Sequence, residues 1–494
     1  MTMAPIIVFW ALAGTCLLRR GAGLFTLLFA SMSFGAFACV PVGLAGGLTL
    51  TPTPVVMVLL ISRAMLSRQG PAGMLALAIQ PARMLLLLLY WLVATLTTLF
   101  MPRLLEGAVM VVPVRGILDT TSALRPSMQN LSQWLYVSIS VAGAFAMAHL
   151  LESHARRQQA LQALCIGGAV AVLTGLADYA SSFLPLDGLL SPLRTASYAL
   201  LTDVEVLGGK RVVGLMPEAS AYGGLCLGLM AALYAYRPLI ADYRWREILC
   251  PLLIGLLGLC TWVSTSSGAM VGLAILLLVC TLDTLRRMLA SPSRSPFGPP
   301  PGTRGSGQLL LIGLVIAGIC ALAMLDPRVF DPIAATIDRM VLQKASSSSY
   351  EERGMWRAVA ISALEASHGA GIGLGSTRTS SGVVAVFAGS GVLGGILFYG
   401  FVLQTALRTA PRRQAWRNAF YIAFRISLIP PFAISLMVGD ADFGALMAFA
   451  LGLTTAVAKS RAPDPRRSAI SDGTPPLGRG GPSPISLPSS PSAS

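Results

Sequence analysis

The stretch MLLLLLYWLVATLTTLFM, residues 84–101, decides the fold. It carries no charge, and a helix of that length matches the hydrocarbon thickness of a bilayer. Working outward from it, further apolar runs lie near 4–18, 22–46, 52–67, 131–151, 160–178, 219–236, 247–264, 268–285, 309–325, 383–407, 418–437 and 443–459, and residues 71–80 are apolar as well. A soluble domain is about 25% charged. This chain of 494 residues is 12% charged and 54% hydrophobic. A single soluble core, a nucleic-acid-binding domain, a collagen-like chain and a wholly disordered one are therefore excluded. The chain reads as an all-α polytopic membrane protein of about 12–13 transmembrane helices. Its eight cysteines all fall in apolar runs and form no CxxC pair. They read as small buried hydrophobes, with no disulfide framework, metal site or cofactor expected.

The net charge of +15 tests the topology. The first run, Ala4–Leu18, has no basic residue before it and ends at Arg19-Arg20, which suits a first span with its N-terminus outside rather than a cleaved signal. Threading the spans from there puts 23 basic and 6 acidic residues inside, against 12 basic and 15 acidic outside, with Arg425 inside a span. The inside thus carries +17 and the outside −3, so the basic excess is a topology signal rather than a sign of an acidic partner. The C-terminus falls on the cytoplasmic side. Residues 1–459 form the transmembrane domain. The Pro/Gly-rich segment 286–308 reads as a cytoplasmic linker and 460–494 as a disordered tail.

Three long loops, about 102–130, 179–218 and 326–382, fall on the outer face, where chemistry would sit. In the last, Val329–Gln343 has the apolar stripe of an amphipathic helix lying on the membrane surface or capping a cavity. Ser349-x-x-Glu352 then reads as a capping box opening a helix in which Arg353 and Arg357 share one face and Trp356, Val359, Ala360 and Ala363 the other. The helix stops at His368-Gly369, and GAGIGLGSTRTSSG (369–382) follows. Arg353 and Arg357, with Arg378 after the turn, suit a diphosphate or another doubly charged group: guanidinium contacts are bidentate and always charged. Gly371, Gly373 and Gly375 would let backbone N–H groups approach phosphate oxygens. The competing reading is a solvated helix face paired with Glu351 and Glu352, followed by a flexible re-entry.

The middle loop ends GGKRVVGLMPEASAY (208–222). Pro217 suits a helix's first turn, and Glu218 reads either as that helix's cap or as a base facing Arg211. Asp440 and Asp442, at the tip of the last hairpin, read as solvated. Arg425, seven residues inside a span, faces protein or a water-filled cavity, or snorkels to the inner surface.

Arg211, Gly214 and Glu218 spell R-x-x-G-x-x-x-E entering a span. The S-T-S-S-G turn at 264–268 follows, then R-x-x-x-R-A at Arg353 and Arg357, G-x-G-x-G-S-x-R ending at Arg378, and a glycine-rich span opening at Gly389, Gly391, Gly394 and Gly395. Over about 205–400 the chain resembles the bacterial O-antigen ligase and polymerase superfamily, the Wzy/WaaL-like membrane glycosyltransferases, and within it the exopolysaccharide polymerases. The resemblance implies a GT-C-like, metal-independent glycosyltransferase of the cell inner membrane, acting at its outer face on glycans carried by undecaprenyl pyrophosphate. It implies membrane lipid, a chain-length regulator and a flippase as partners, and no nucleic acid. Carried over residue by residue, it makes Arg211 with Arg353 or Arg357 the pyrophosphate ligands, Glu218 or His368 the acid/base, and Arg378 a lining of the same entrance. The chain departs from the family in having Ser267-Gly268 where Ser-Arg is frequent, and Arg378-Thr-Ser-Ser where the ligases carry a His-Asn-like pair. Both departures weigh against a ligase more than a polymerase. The alternatives are a ligase-type transfer to another acceptor and, from another class, a transporter of polysaccharide or lipid-linked oligosaccharide. A transporter calls for inverted repeats and several intramembrane charges, whereas Arg425 is nearly alone.

Overall fold

A computed structural model describes residues 3–19, 21–44, 49–114, 120–198, 200–202, 205–206, 209–289 and 348–459. Helices dominate them: α1 (Ala4–Leu18), α2 (Gly23–Ser31), α3 (Pro52–Met65), α4 (Gly70–Ala78), α5 (Leu85–Leu104), α6 (Met128–Leu150) and α7 (His154–Ala180) come first. Then follow α8 (Ala219–Tyr236), α9 (Cys250–Val263), α10 (Ser267–Leu289), α11 (Ser348–Ala366), α12 (Gly382–Ala406), α13 (Ala415–Ser435) and α14 (Gly444–Lys459). Among the described residues seven helices are long and apolar enough to cross a membrane, and α1, α3 and α14 are shorter apolar helices. The expected span at 309–325, the helix Val329–Gln343 and the tail 460–494 lie outside the described residues. Most of the linker 286–308 does too, although α10 runs on to Leu289 and takes in its start. Helix α11 opens at Ser348, which places Ser349 inside the first turn rather than at the cap.

The run 22–46 does not form one helix. It is helical only over Gly23–Ser31, because Gly35, Pro41 and Gly43 interrupt the apolar residues, and the chain then turns back through the protein. Its backbone bonds are satisfied by neighbours: Ala36 N–H donates to Leu215 O (2.8 Å), Thr195 N–H to Ala36 O (2.9 Å) and Cys39 N–H to Leu50 O (2.9 Å). Irregular backbone is tolerated at membrane depth only where protein surrounds it in this way. The segment backs directly onto the 211–218 loop, and a Cβ on Gly35 would stand 2.8 Å from Met216 Sδ.

Helix α8 is the most enclosed, with 72% of its span window buried. It packs on α9 and α13, while α6 packs on α14 and α3, α5 on α12, and α2 on α7. Polar contacts between elements gather at two ends. At one, Arg63 reaches Arg19 O (3.0 Å), Ser67 pairs with His149 Nε2 (3.0 Å), Lys459 with Glu152 (2.5 Å) and Arg408 with Arg83 O (2.9 Å). These are residues that charge counting assigns to a single side. Arg425 belongs here: its guanidinium donates to Ala406 O and Arg408 O (both 2.6 Å), closing the C-terminus of α12 rather than facing a cavity. The opposite end carries the long loops. Two short antiparallel ladders, Met110–Val111 with Ser122–Ala123 and Glu205–Val206 with Gly209–Lys210, lie in those loops and are the small exceptions to an all-helical chain.

Candidate functional site

The site is built from the last turn of α7. Asp178 is fully buried there, and a buried carboxylate must be paired. Its Oδ1 accepts from Arg194 Nη2 (2.6 Å) and lies 3.2 Å from Lys210 Nζ. Its Oδ2 accepts the N–H groups of Val213 (2.7 Å) and Gly214 (3.1 Å). Arg194 Nη2 also donates to Gly214 O (3.0 Å), and Gly214 has φ +58°, which glycine adopts without strain. The loop leading into α8 is thus clasped at residues 210–214. The sequence reading passed over Asp178; the available signal was one carboxylate ending an apolar run, with Lys210 downstream to pair with it.

Arg211 projects from this clasp. Its Nε donates to Thr265 Oγ1 (2.9 Å) and Ser264 O (3.3 Å), and its Nη2 to Thr265 O (3.1 Å). The guanidinium therefore holds the S-T-S-S-G turn between α9 and α10, in which Thr265 sits at φ +48°. Seven residues on, Glu218 occupies the position before the first turn of α8 in extended conformation, but its side chain makes no capping bond and accepts instead from Ser220 Oγ. The capping reading is thereby set aside. Arg211 and Glu218 share a cavity of about 230 Å³ with Ser220, Ser266, Ser267 and Arg353. Burial pushes the Arg211 pKa below its usual range, and the Glu218 carboxylate opposes that shift.

Helix α11 delivers Arg353 as the spacing predicts. Trp356, Ala360 and Ala363 are buried, and Arg353 on the other face lines the cavity, half-buried. It makes no ion pair with Glu351, Glu352 or any other described residue. Arg357 shares its face but is exposed and does not line the cavity, so of the two arginines only Arg353 is brought to Glu218. His368 is also apart: it is exposed, at φ +51°, in the left-handed turn that ends α11. Its position is that of a helix terminator.

The glycine loop is a correction. Gly371, Gly373 and Gly375 have φ of +85°, +87° and +72° and are packed, not flexible. A Cβ on Gly371 would stand 2.4 Å from Gly391 N, one on Gly373 2.8 Å from Pro102, and one on Gly375 2.6 Å from Gln129 O. The loop seats against a break in α12 where Gly391 has φ +75°. The amides of residues 371–374 are already used: Gly371 N–H donates to Ser367 Oγ (3.1 Å), Ile372 N–H to Ala388 O (2.8 Å), Gly373 N–H to Gly389 O (3.1 Å) and Leu374 N–H to Thr98 Oγ1 (3.1 Å), whereas Gly375 lines a cavity. Donors so engaged do not cradle a phosphate, and the two glycine runs exist to let two backbones touch.

Arg378 leaves this loop with its guanidinium carbon 4.2 Å from the centre of the Trp356 ring, a cation–π contact that ties it to α11. Burial pushes its pKa down; Glu218 opposes this and Arg353 adds to it. Arg378 thus feels the Arg353–Glu218 cavity but lines a neighbouring one. Asp440 is exposed, as expected of a hairpin tip, and opens to that neighbouring cavity, whereas Asp442 is half-buried and its Oδ1 accepts from Ser140 Oγ (2.6 Å). Desolvation by the surrounding protein pushes both carboxyls above the usual carboxylate range. Compared with known proteins, the chain matches no protein-family model and no curated protein.

Proposed function

We propose that the protein is a membrane glycosyltransferase that polymerises oligosaccharide repeat units carried on undecaprenyl pyrophosphate, with a GT-C-like helical scaffold, at the outer face of an inner membrane. The observation that carries this reading is the convergence of Arg211 and Arg353, 142 residues apart in the chain, on one cavity with Glu218. Two fixed cations and one carboxylate leave that cavity a net positive charge, which suits a diphosphate.

On this reading Arg211 and Arg353 hold the donor's pyrophosphate. The oxygen of an acceptor hydroxyl attacks the donor's anomeric carbon, a C–O bond forms, and the bond from that carbon to the phosphate oxygen breaks. The electron pair leaves with the lipid pyrophosphate, whose developing charge the arginines offset. The hydroxyl proton passes to a carboxylate, for which Glu218 is the candidate within the cavity. Arg211 enters with part of its guanidinium already spent on the Ser264–Thr265 turn, so its position is set before any ligand arrives.

The test uses purified, reconstituted protein given lipid-linked repeat units and no other acceptor, with products run on a gel. A ladder spaced by one repeat unit is expected. Arg211→Ala and Arg353→Ala should abolish it while the protein stays in the membrane, and Arg412→Ala, at an exposed arginine far along the chain, should not. Folded wild-type protein that gives no ladder from an active donor overturns the polymerase reading, and product formed only after a different acceptor is added replaces it with a ligase.

A further inference from the structure

A further cavity, of about 330 Å³, opens where two short helices begin beside the middle of a long one. Helices α3 and α14 have 14 and 16 residues, against 23 in α6. Close contacts set their registers: a Cβ on Gly143 would stand 2.6 Å from Met57 Sδ, and one on Gly452 2.4 Å from Met147 Cβ. All three helices run towards the end where Ser67 meets His149 and Lys459 meets Glu152. Counting back five residues from Met57 and eight from Gly452 starts both short helices level with Ser138 and Ile139, half-way along α6.

Asp442, in the turn leading into α14, is held at this level. Its Oδ1 accepts from Ser140 Oγ (2.6 Å) and from the Gly444 N–H (3.1 Å), and it lines the cavity with Asp440, Thr51 and Thr53. Among the described residues no basic side chain pairs with either carboxylate. Arg378 shares the neighbouring cavity with Asp440, but the acids that act on it are Glu218 and Glu352. A charge taken out of water needs a counter-charge or a metal ion, most of all at the middle depth of a spanning bundle. A second observation points the same way. The Tyr90 hydroxyl on α5 is fully buried with no hydrogen-bond partner, and Asp442 is the charge that acts on it most strongly. The carboxylate leaves this donor unbonded and faces the cavity instead, at a cost of about 1–3 kcal/mol that a ligand in the cavity would offset.

The charge of that ligand follows from the lining. Against the two carboxylates stand the N-termini of α3 and α14, which meet the cavity at Thr51, Thr53 and Ala445. Each N-terminus counts as about +0.5 of a charge, which leaves the cavity about −1. One monovalent cation balances it, and carboxylate and hydroxyl oxygens are its ligands of choice. Helices interrupted at mid-depth are a recurrent way to hold Na⁺ in a membrane. Thr51, at the start of α3, makes no capping bond, so its hydroxyl is available. We infer that Asp442, Asp440 and Thr51 bind one partly hydrated sodium ion in this cavity, with Ser140 orienting Asp442 towards it. The inference is independent of the transfer reading, in which the ion takes no part.

Binding of radioactive sodium to the purified full chain, held in detergent on scintillation beads, reads the site directly, with choline keeping the ionic strength constant. Saturable binding that unlabelled sodium displaces is expected. Asp442→Asn should abolish it. Ser140→Ala should weaken it about tenfold, as the loss of a group that orients a metal ligand does. Thr51→Val, which removes one hydroxyl at nearly constant volume, should weaken it as well, and decides the matter if Asp442→Asn does not fold. Asp242→Asn, at an exposed carboxylate between α8 and α9, should leave it unchanged. Absence of saturable sodium binding, which leaves a proton as the counter-charge, overturns the inference. Binding that survives Asp442→Asn, or that Thr51→Val leaves intact, overturns it too. So does displacement by calcium at a lower concentration than unlabelled sodium, because a divalent preference contradicts the single net charge.

Discussion

Removing the Asp178 carboxylate should unfasten the loop that presents Arg211. Asp178→Ala strands Arg194, Lys210 and the N–H groups of Val213 and Gly214 around a space once filled by a fully buried carboxylate. Breaking a buried ion pair from one side costs about 3–5 kcal/mol, and each buried N–H left without an acceptor about 1–3 kcal/mol. The upper sum is not reached, because the Arg194 and Lys210 side chains keep 13% and 19% of their exposure and water can retake part of their bonding. About 3–5 kcal/mol is therefore expected, enough to unfold the loop locally or to lower the melting temperature of the whole chain. Asp178→Asn should cost less, since its amide oxygen still accepts one bond. The assay is thermal unfolding in detergent, with limited proteolysis to report on residues 194–218. An Asp178→Ala protein that melts with the wild type and resists protease equally would refute the reasoning that one buried carboxylate organises this loop.

Other perturbations test separate parts of the argument. Gly371→Ala, which places a methyl 2.4 Å from Gly391 N at φ +85°, should cost about 3 kcal/mol or more in a melting experiment, whereas Gly14→Ala, with open space around it, should be silent. Arg211→Lys should restore little of the product lost in Arg211→Ala, because an ammonium cannot span Thr265 Oγ1 and Thr265 O as the fork does; full recovery on the gel would show that only charge matters. The Asp442 carboxyl has its pKa raised by burial from the usual 3.8, so the folded state holds its proton more tightly than the unfolded chain. Stability from this group falls as pH rises from that value through the raised pKa and is level above it. Asp442→Asn should flatten that slope when melting is compared at about pH 4 and about pH 7, and an unchanged slope would rule Asp442 out as its source. Trp356→Leu keeps the apolar packing of α11 but removes the ring under Arg378, and should reduce product with a loss of about 0.5–2 kcal/mol in Arg378 positioning.

Much of the molecule was legible in one dimension. Apolar runs without charge can only be satisfied by helices in or under a bilayer, so residues 84–101, 131–151 and 219–236 announce α5, α6 and α8 to within a few residues. Charge counting groups Arg19, Arg63, Arg83, Arg408 and Lys459 on one side, and the structure joins Arg63 to Arg19 and Arg408 to Arg83, because charge placement is a local property of each loop. Helical spacing likewise put Trp356 inward and Arg353 outward, since a period of 3.6 fixes which residues share a face.

What needed tertiary structure was everything that depends on distance between segments. Arg353 and Arg357 are equivalent on a helical wheel, and only the position of α11 beside the 211–218 loop separates the one that lines the cavity from the one left exposed. The glycines of 369–375 look in sequence like a phosphate cradle, but the amides of residues 371–374 are spent on Ser367, α12 and α5, which a spacing pattern cannot reveal. Asp178 carries no motif at all. Its importance lies in burial and in the partners that burial forces on it, and those partners, among them Val213 35 residues away, are chosen by the packing of the whole bundle. Sequence alone determined the chain's solvent, its helices and the end of the bundle that carries the long loops. The fold alone decided which of the charged residues there face one another, because a pairwise interaction has no signature in either partner taken by itself.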